Sequence, residues 1–174
     1  MTLEDDVIRL MDYEAIRQLV ANYAVAIDSR DLDRLVNLFV EDVAVGKSNT
    51  GRAALKEYFR QGLAPLGSSI LSVTTHVIDF DDATQASGEV YCTGEIERDG
   101  HYLRQAILYR DRYAKTEEGW KFIDRDPLLW YSAPEATNPR DLPPANWPRG
   151  HVGRGTLPEA FESFRRFQAE NPQN

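Results

Sequence analysis

Proton transfer near neutral pH needs a group that titrates there, and this sequence offers few. Histidine, with an unperturbed pKa of about 6.5, accepts a proton as the neutral imidazole. The three histidines, His76, His101 and His151, are far apart and follow no metal-binding spacing. His101 follows an Asp99-Gly100 turn signal and reads as an exposed turn residue. His76 alternates with Thr74, Ile78 and Phe80, a strand face on which an imidazole is either structural or part of a site. Cys92 is the single cysteine, read as a buried structural thiol, so neither an intrachain disulfide nor a Cys-rich zinc site is open. No metal or cofactor is expected.

Three further side chains could share such chemistry, each with a plain structural reading beside it. Asp28 closes a helical repeat, where a carboxylate caps the next turn or, set against a histidine ring nitrogen, fixes its tautomer and stabilises the imidazolium that forms. Tyr23 lies on the apolar stripe of the same helix, as a core residue or as a donor to a carbonyl oxygen. Five residues along a helix is about 140° of rotation, which sets Tyr23 and Asp28 on different faces unless the helix end distorts. Arg125 stays charged even when partly buried, so it either pairs with Asp124 or Asp126 or stabilises a developing anion. Strict alternation puts it with Lys121 and Ile123, opposite Trp120 and Phe122, and a bulge is needed to turn it to their side.

The elements that must position these residues follow from periodicity. Ile16, Leu19, Val20, Tyr23 and Ile27 recur at helical spacing up to Asp28. Asp31 can cap a second helix carrying Leu32, Leu35, Val36 and Phe39. A short strand over 43–45, a loop over 46–51 and a third helix with Leu55, Tyr58 and Phe59 precede Gly62, Pro65 and Gly67, which stop it. From residue 70 the period changes to that of strands: 70–80, 84–98, 102–114 and 120–131, joined by short turns at Asp81-Asp82, Asp99-Gly100 and Glu117-Glu118-Gly119. Helices first and an antiparallel meander afterwards predict an α+β domain over 1–131, with helices stacked on one face of a curved sheet. The rest, 132–174, is a proline-rich extension with Pro134, Pro139, Pro143, Pro144 and Pro148, ending in a short helix with Phe161 and Phe164. Trp147, Phe161, Phe164 and Phe167 are costly to leave in water, so the extension should dock as a lid or as an intersubunit arm.

Bulk properties narrow the partners. A formal charge of −8 repels nucleic acid and anionic lipid over most of the surface. No apolar run approaches the roughly 20 residues of a membrane span, and the start is acidic where a secretory signal would be basic. No membrane association and a cytoplasmic location are therefore expected.

The segments 16–23, Ala26-Ile27-Asp28, 31–35, Leu38-Phe39, then Gly51, Phe59, His76 and Trp120-Lys121-Phe122, in that order, resemble the SnoaL-like members of the nuclear-transport-factor-2-like superfamily over roughly residues 10–131. The resemblance implies a cone-shaped α+β barrel that encloses a small molecule. It is similar to scytalone dehydratase, the lindane dehydrochlorinase and the bile-acid dehydratase, where an aspartate at the end of the first helix orients a histidine in the first long strand. Asp28 and His76 stand in the matching places, so the resemblance implies an Asp-His dyad, with Tyr23 and Arg125 as further catalytic candidates. Tyr58, Phe59, Tyr91, Leu108, Trp130 and Tyr131 would line the cavity, suiting flat or polycyclic ligands. Tyr109, Tyr113 and Arg110 lie on the strand where relatives make subunit contacts, which implies a homo-oligomer, a dimer or trimer.

The expected function is a cofactor-free lyase or isomerase that removes a proton beside a carbonyl. The alternative is a binding or adaptor domain in which Asp28 and His76 are structural. A third reading, an epoxide hydrolase, needs an Asp-Arg-Asp arrangement for which no second aspartate stands out.

Overall fold

The computed structural model describes residues 2–138, 141–146, 149, 153–155 and 158–172. Helix α1 (Leu3–Ser29) begins well before the apolar stripe because Thr2 and Asp5 cap it reciprocally, each side chain bonding the other's backbone N–H. Its first turns are exposed at Leu3, Val7, Leu10 and Met11. From Asp12 onward it packs, burying Ile16, Leu19, Val20, Tyr23 and Ile27. The helix ends at Arg30, which takes a left-handed φ of 55°. That conformation is costly for a residue with a Cβ. Here the buried guanidinium holds it, donating to the carbonyls of Ile27 (2.5 Å) and Gly67 (2.7 Å) and to Ser69 Oγ (2.7 Å).

Asp31 then caps α2 (Leu32–Val36) through the Arg34 N–H at 3.1 Å. A two-stranded ribbon, β1 (Ala44–Val45) with β2 (Asn49–Thr50), leads into α3 (Arg52–Leu63). The main sheet is an antiparallel meander in the order β3-β4-β5-β6: β3 (Leu66–Phe80), β4 (Gln85–Arg98), β5 (His101–Thr116) and β6 (Gly119–Pro134). It is a curved, four-stranded α+β sheet that does not close into a full barrel. The β4–β5 turn has positive φ at Asp99 and Gly100, the geometry that matches strand twist in a two-residue hairpin.

The inner face carries Leu71, His76, Ile78 and Phe80 from β3, Val90 and Cys92 from β4, Tyr109, Asp111 and Tyr113 from β5, and Trp120 and Phe122 from β6. Two one-residue irregularities set this parity: Thr74 is skipped in the β3–β4 register and Ile123 in the β5–β6 register. The second is the bulge needed to turn Arg125 inward. Asp12 pins α1 to the sheet, accepting from Trp120 Nε1 at 2.8 Å and Lys115 Nζ at 2.7 Å.

In the C-terminal extension, Pro158–Ala160 forms a 3-10 turn and α4 (Glu162–Glu170) the last helix. Phe164 and Phe167 are buried against the chain's own domain, Phe164 with its ring under the Arg30 guanidinium at 5.0 Å. Ser163 Oγ donates to the Ser29 carbonyl at 2.7 Å, tying α4 to the end of α1. Trp147, Pro139 and Pro148, as well as His151, lie outside the described residues.

Candidate functional site

The inward turn of β6 places a cation in an aromatic enclosure. Arg125 is the register partner of Asp111, and the two form a bidentate pair, Nε to Oδ1 at 2.8 Å and Nη2 to Oδ2 at 2.6 Å. Their side chains are 3% and 0% exposed. The guanidinium carbon lies 4.3 Å from the Tyr23 ring centroid and 4.4 Å from those of Tyr109 and Phe122. Burial pulls the Arg125 pKa down, but the hydrogen bonds and charge of Asp111 outweigh it and the net shift is upward. Arg125 is therefore a permanent, immobile cation.

Beside it is a cavity of about 290 Å³, walled by Tyr23, Phe39, Leu55, Tyr58, Phe59 and Arg125, with Val43 to Gly46 at one side. Tyr23 presents a neutral phenol, since burial pushes its pKa up to about 12.

The expected Asp28–His76 pair is not made. Asp28 accepts the Leu71 N–H with both oxygens, at 3.2 and 3.1 Å, with Ser69 Oγ at 3.5 Å. Its bonds thus run to the sheet and not to the following helical turn, which Asp31 caps. The strand position meeting Asp28 is Leu71, and His76 lies five residues, roughly 15 Å, farther along β3. Burial raises the Asp28 pKa to about 6, against the Leu71 N–H and the Arg30 charge.

His76 instead ends a buried chain: its Nε2 is 3.1 Å from Tyr113 Oη, which donates to Asp111 Oδ2 at 2.7 Å. The single tyrosine O–H goes to Asp111, so its oxygen accepts from His76 Nε2–H and the imidazole lone pair sits on Nδ1. Burial lowers the His76 pKa to about 4. Gly88 makes room for this chain, because a Cβ there would stand 3.0 Å from Tyr113 Oη and 2.9 Å from the Val77 carbonyl oxygen.

Of the expected cavity residues, Tyr58 and Phe59 line the space, and Tyr91, Leu108, Trp130 and Tyr131 do not. Tyr91 pairs with Leu108 on the outer face, where its ring packs edge-on against Trp130 at 4.8 Å, and Trp130 and Tyr131 are each 54% exposed. A bulge at Trp130 interrupts the strand alternation there, and the aromatic character that suggested a cavity wall serves the outer surface instead. Tyr109 and Tyr113, expected at an outer contact, are buried on the inner face, and only Arg110 of that trio points outward. They alternate with Arg110, so a strand-level assignment could not hold for all three.

Asp111, which pairs with Arg125 at this site, does not figure among the residues singled out from the sequence. Its signal was there: an acidic residue sharing parity with Tyr109 and Tyr113, which β5–β6 pairing sets opposite Arg125 once the bulge is counted.

A sequence model of the SnoaL-like domain matches residues 9–126. No curated protein matches the chain. Among solved structures, the chain is similar to a scytalone dehydratase-like protein from Novosphingobium aromaticivorans, at 19% identity and a TM-score of 0.66, over 87% of this chain and 99% of that one. It is also similar to the hexachlorocyclohexane dehydrochlorinase LinA-type3 from Novosphingobium barchaimii, at 24% identity and a TM-score of 0.64, over 75% and 94%. A third likeness is to an NTF2-like protein with a cystatin-like fold from Novosphingobium aromaticivorans, at 24% and 0.61, over 74% and 88%. At these identities the likeness is one of fold. No helix among the described residues is long and apolar enough to cross a membrane.

Proposed function

The chain belongs to the SnoaL-like domain family, and from that premise we propose that it is a cofactor-free acid/base lyase or isomerase acting on a small, largely apolar molecule. The observation that carries this reading is Arg125: a cation locked by its bidentate pair with Asp111 on the wall of an aromatic cavity. Such a cation stabilises an oxyanion or a departing anion without reorganising, in a setting where water does not screen it. Tyr23 supplies a neutral donor on the same wall.

The base in this reading is Asp28 acting alone. A carboxylate with a pKa of about 6 is ionised at pH 7 yet basic enough to take a proton from carbon beside a carbonyl. Cys92, on the inner sheet face, feels the charges of both Arg125 and Asp28. Substrate bound against Arg125 would extend across Cys92 toward Asp28. His76 keeps a supporting place, steadying Tyr113 and through it Asp111.

Exchange of α-protons for deuterium tests the reading without knowledge of the leaving group. A cyclic ketone in D₂O, followed by proton NMR, should lose its α-CH signal faster with the protein than without it. Asp28→Asn should remove the acceleration and Arg125→Lys should reduce it severalfold, while His76→Gln retains most of it. Unchanged exchange in Asp28→Asn sinks the assignment of the base. The second reading, a binding domain without chemistry, is favoured by the Asp28–Leu71 bond and by a cavity lining that omits Asp28. It stands if wild-type protein binds ketones and gives no acceleration. Homo-oligomerisation and a cytoplasmic location belong to the same reading and are checked by sedimentation and cell fractionation.

A further inference from the structure

Asp28 takes its hydrogen-bond partners from the first residues of β3, and Arg30 holds those residues in place. Strand β3 is an edge of the main sheet, so alternate N–H groups along it point away from β4. The Leu71 N–H is one of them, and both Asp28 oxygens accept it, at 3.2 and 3.1 Å. Which N–H groups point outward is set by a bulge just ahead. Between the Leu66–Arg98 and Ser69–Ile96 register pairs, Gly67 and Ser68 stand against Glu97 alone. A slip of one residue there would turn the Leu71 N–H toward β4 and take it from Asp28.

Arg30 pins that bulge. Its Nη2 donates to the Gly67 carbonyl inside it and its Nη1 to Ser69 Oγ just beyond, each at 2.7 Å, while Nη1 also holds the Ile27 carbonyl of α1 at 2.5 Å. One planar guanidinium thus joins the end of α1 to the start of β3, the two segments that bring Asp28 and its partners together. The cover over this cation comes from the C-terminal extension. The Phe164 ring centroid lies 5.0 Å from the guanidinium carbon, the Glu159 charge acts on it, and Ser163 Oγ ties α4 to the Ser29 carbonyl at 2.7 Å. Arg30 is 2% exposed and Phe164 1%. None of these extension residues lines the Arg125 cavity. Resting on the reading that Asp28 is the base, we infer that Arg30 is its positioning residue and that α4 is the clasp that keeps Arg30 seated, so the C-terminal extension controls the base from outside the cavity.

NMR of the full chain tests this, because a backbone N–H bonded to a carboxylate changes its shift as that carboxylate titrates. In the parent the Leu71 amide proton should follow Asp28, with a midpoint at about pH 6. Arg30→Lys keeps the charge and loses the fork that spans Gly67 and Ser69, so the Leu71 amide should cease to follow Asp28. A role of charge alone would leave that response intact, and an intact response overturns the positioning. Phe164→Ala strips the cover from Arg30 and changes nothing at Asp28, Ser69 or Leu71 themselves. It should speed exchange of the Leu71 amide about tenfold relative to amides in β4 and β5, and unchanged relative protection overturns the clasp. Ketone α-proton exchange keeps the two readings apart. Loss of the Leu71 response in Arg30→Lys, with no exchange catalysed by the parent, refutes the base and upholds the positioning. Exchange that requires Asp28 and persists in Arg30→Lys, with the Leu71 response intact, refutes the positioning and upholds the base.

Discussion

Replacing Asp111 with asparagine probes the pair on which the site depends. The substitution preserves volume, and the amide oxygen can still accept from Tyr113, so the principal loss is the counter-ion of Arg125. That cation would be left with its side chain 3% exposed among three aromatic rings. Breaking one partner out of a buried ion pair typically costs about 3–5 kcal/mol. For a chain of this length each kcal/mol lowers Tm by roughly 2–4 °C, so Asp111→Asn should melt on the order of 10 °C below the parent. Urea unfolding at unchanged slope is the cleaner measurement. The double variant Asp111→Leu with Arg125→Met should recover most of the loss, because an apolar pair of similar bulk removes both charges from the interior. A cost under about 1 kcal/mol in the single variant would refute the reasoning, since Arg125 would then be neither locked nor dependent on its partner.

Stability against pH separates the two titrating groups. Asp28 has a folded pKa of about 6, above the ordinary 3.8, so its contribution is full below pH 3.8 and is lost as pH rises to 6. His76 has a folded pKa of about 4, below the ordinary 6.5, so its contribution is full above 6.5 and is lost as pH falls to 4. The slopes oppose each other over most of this window: urea midpoints of Asp28→Asn should rise from pH 4 to 6.5, and those of His76→Gln should fall from pH 4 to 6. Gly88→Ala should destabilise by about 1–3 kcal/mol through overpacking against Tyr113 and the Val77 carbonyl, and the His76 ring should change its NMR titration as Tyr113 shifts. Phe164→Ala should cost about 3–5 kcal/mol and uncover Arg30, read as faster hydrogen exchange at the end of α1.

The succession of elements was legible because it rests on local chemistry. The three-and-four repeat through Ile27, the Asp31 cap and the Asp99-Gly100 turn are each decided within a few residues, and the observed helices, meander and hairpin follow them. Element ends were less legible. Helix α1 extends to Leu3 through a reciprocal Thr2–Asp5 cap, although its exposed first turns carry no inward stripe. Strand β3 begins at Leu66, four residues ahead of the β-branched run, where Arg30 holds the Gly67 carbonyl and Ser69.

The candidate site divides along the same line. Sequence alone determined which residue types were present, that Arg125 required a bulge to face inward, and that Tyr58 and Phe59 belonged to an apolar helix face. Tertiary structure decided the partners. A one-residue skip at Thr74 and another at Ile123 set the parity of His76 and Arg125, strand register set Asp111 opposite the arginine, and the packing of α1 on β3 brought Asp28 to the Leu71 N–H. Alternation along a strand has a period of two, so a single inserted residue reverses every assignment beyond it. Which carboxylate meets which cation is therefore a property of cross-strand pairing, and pairing is not written in the spacing of either strand by itself.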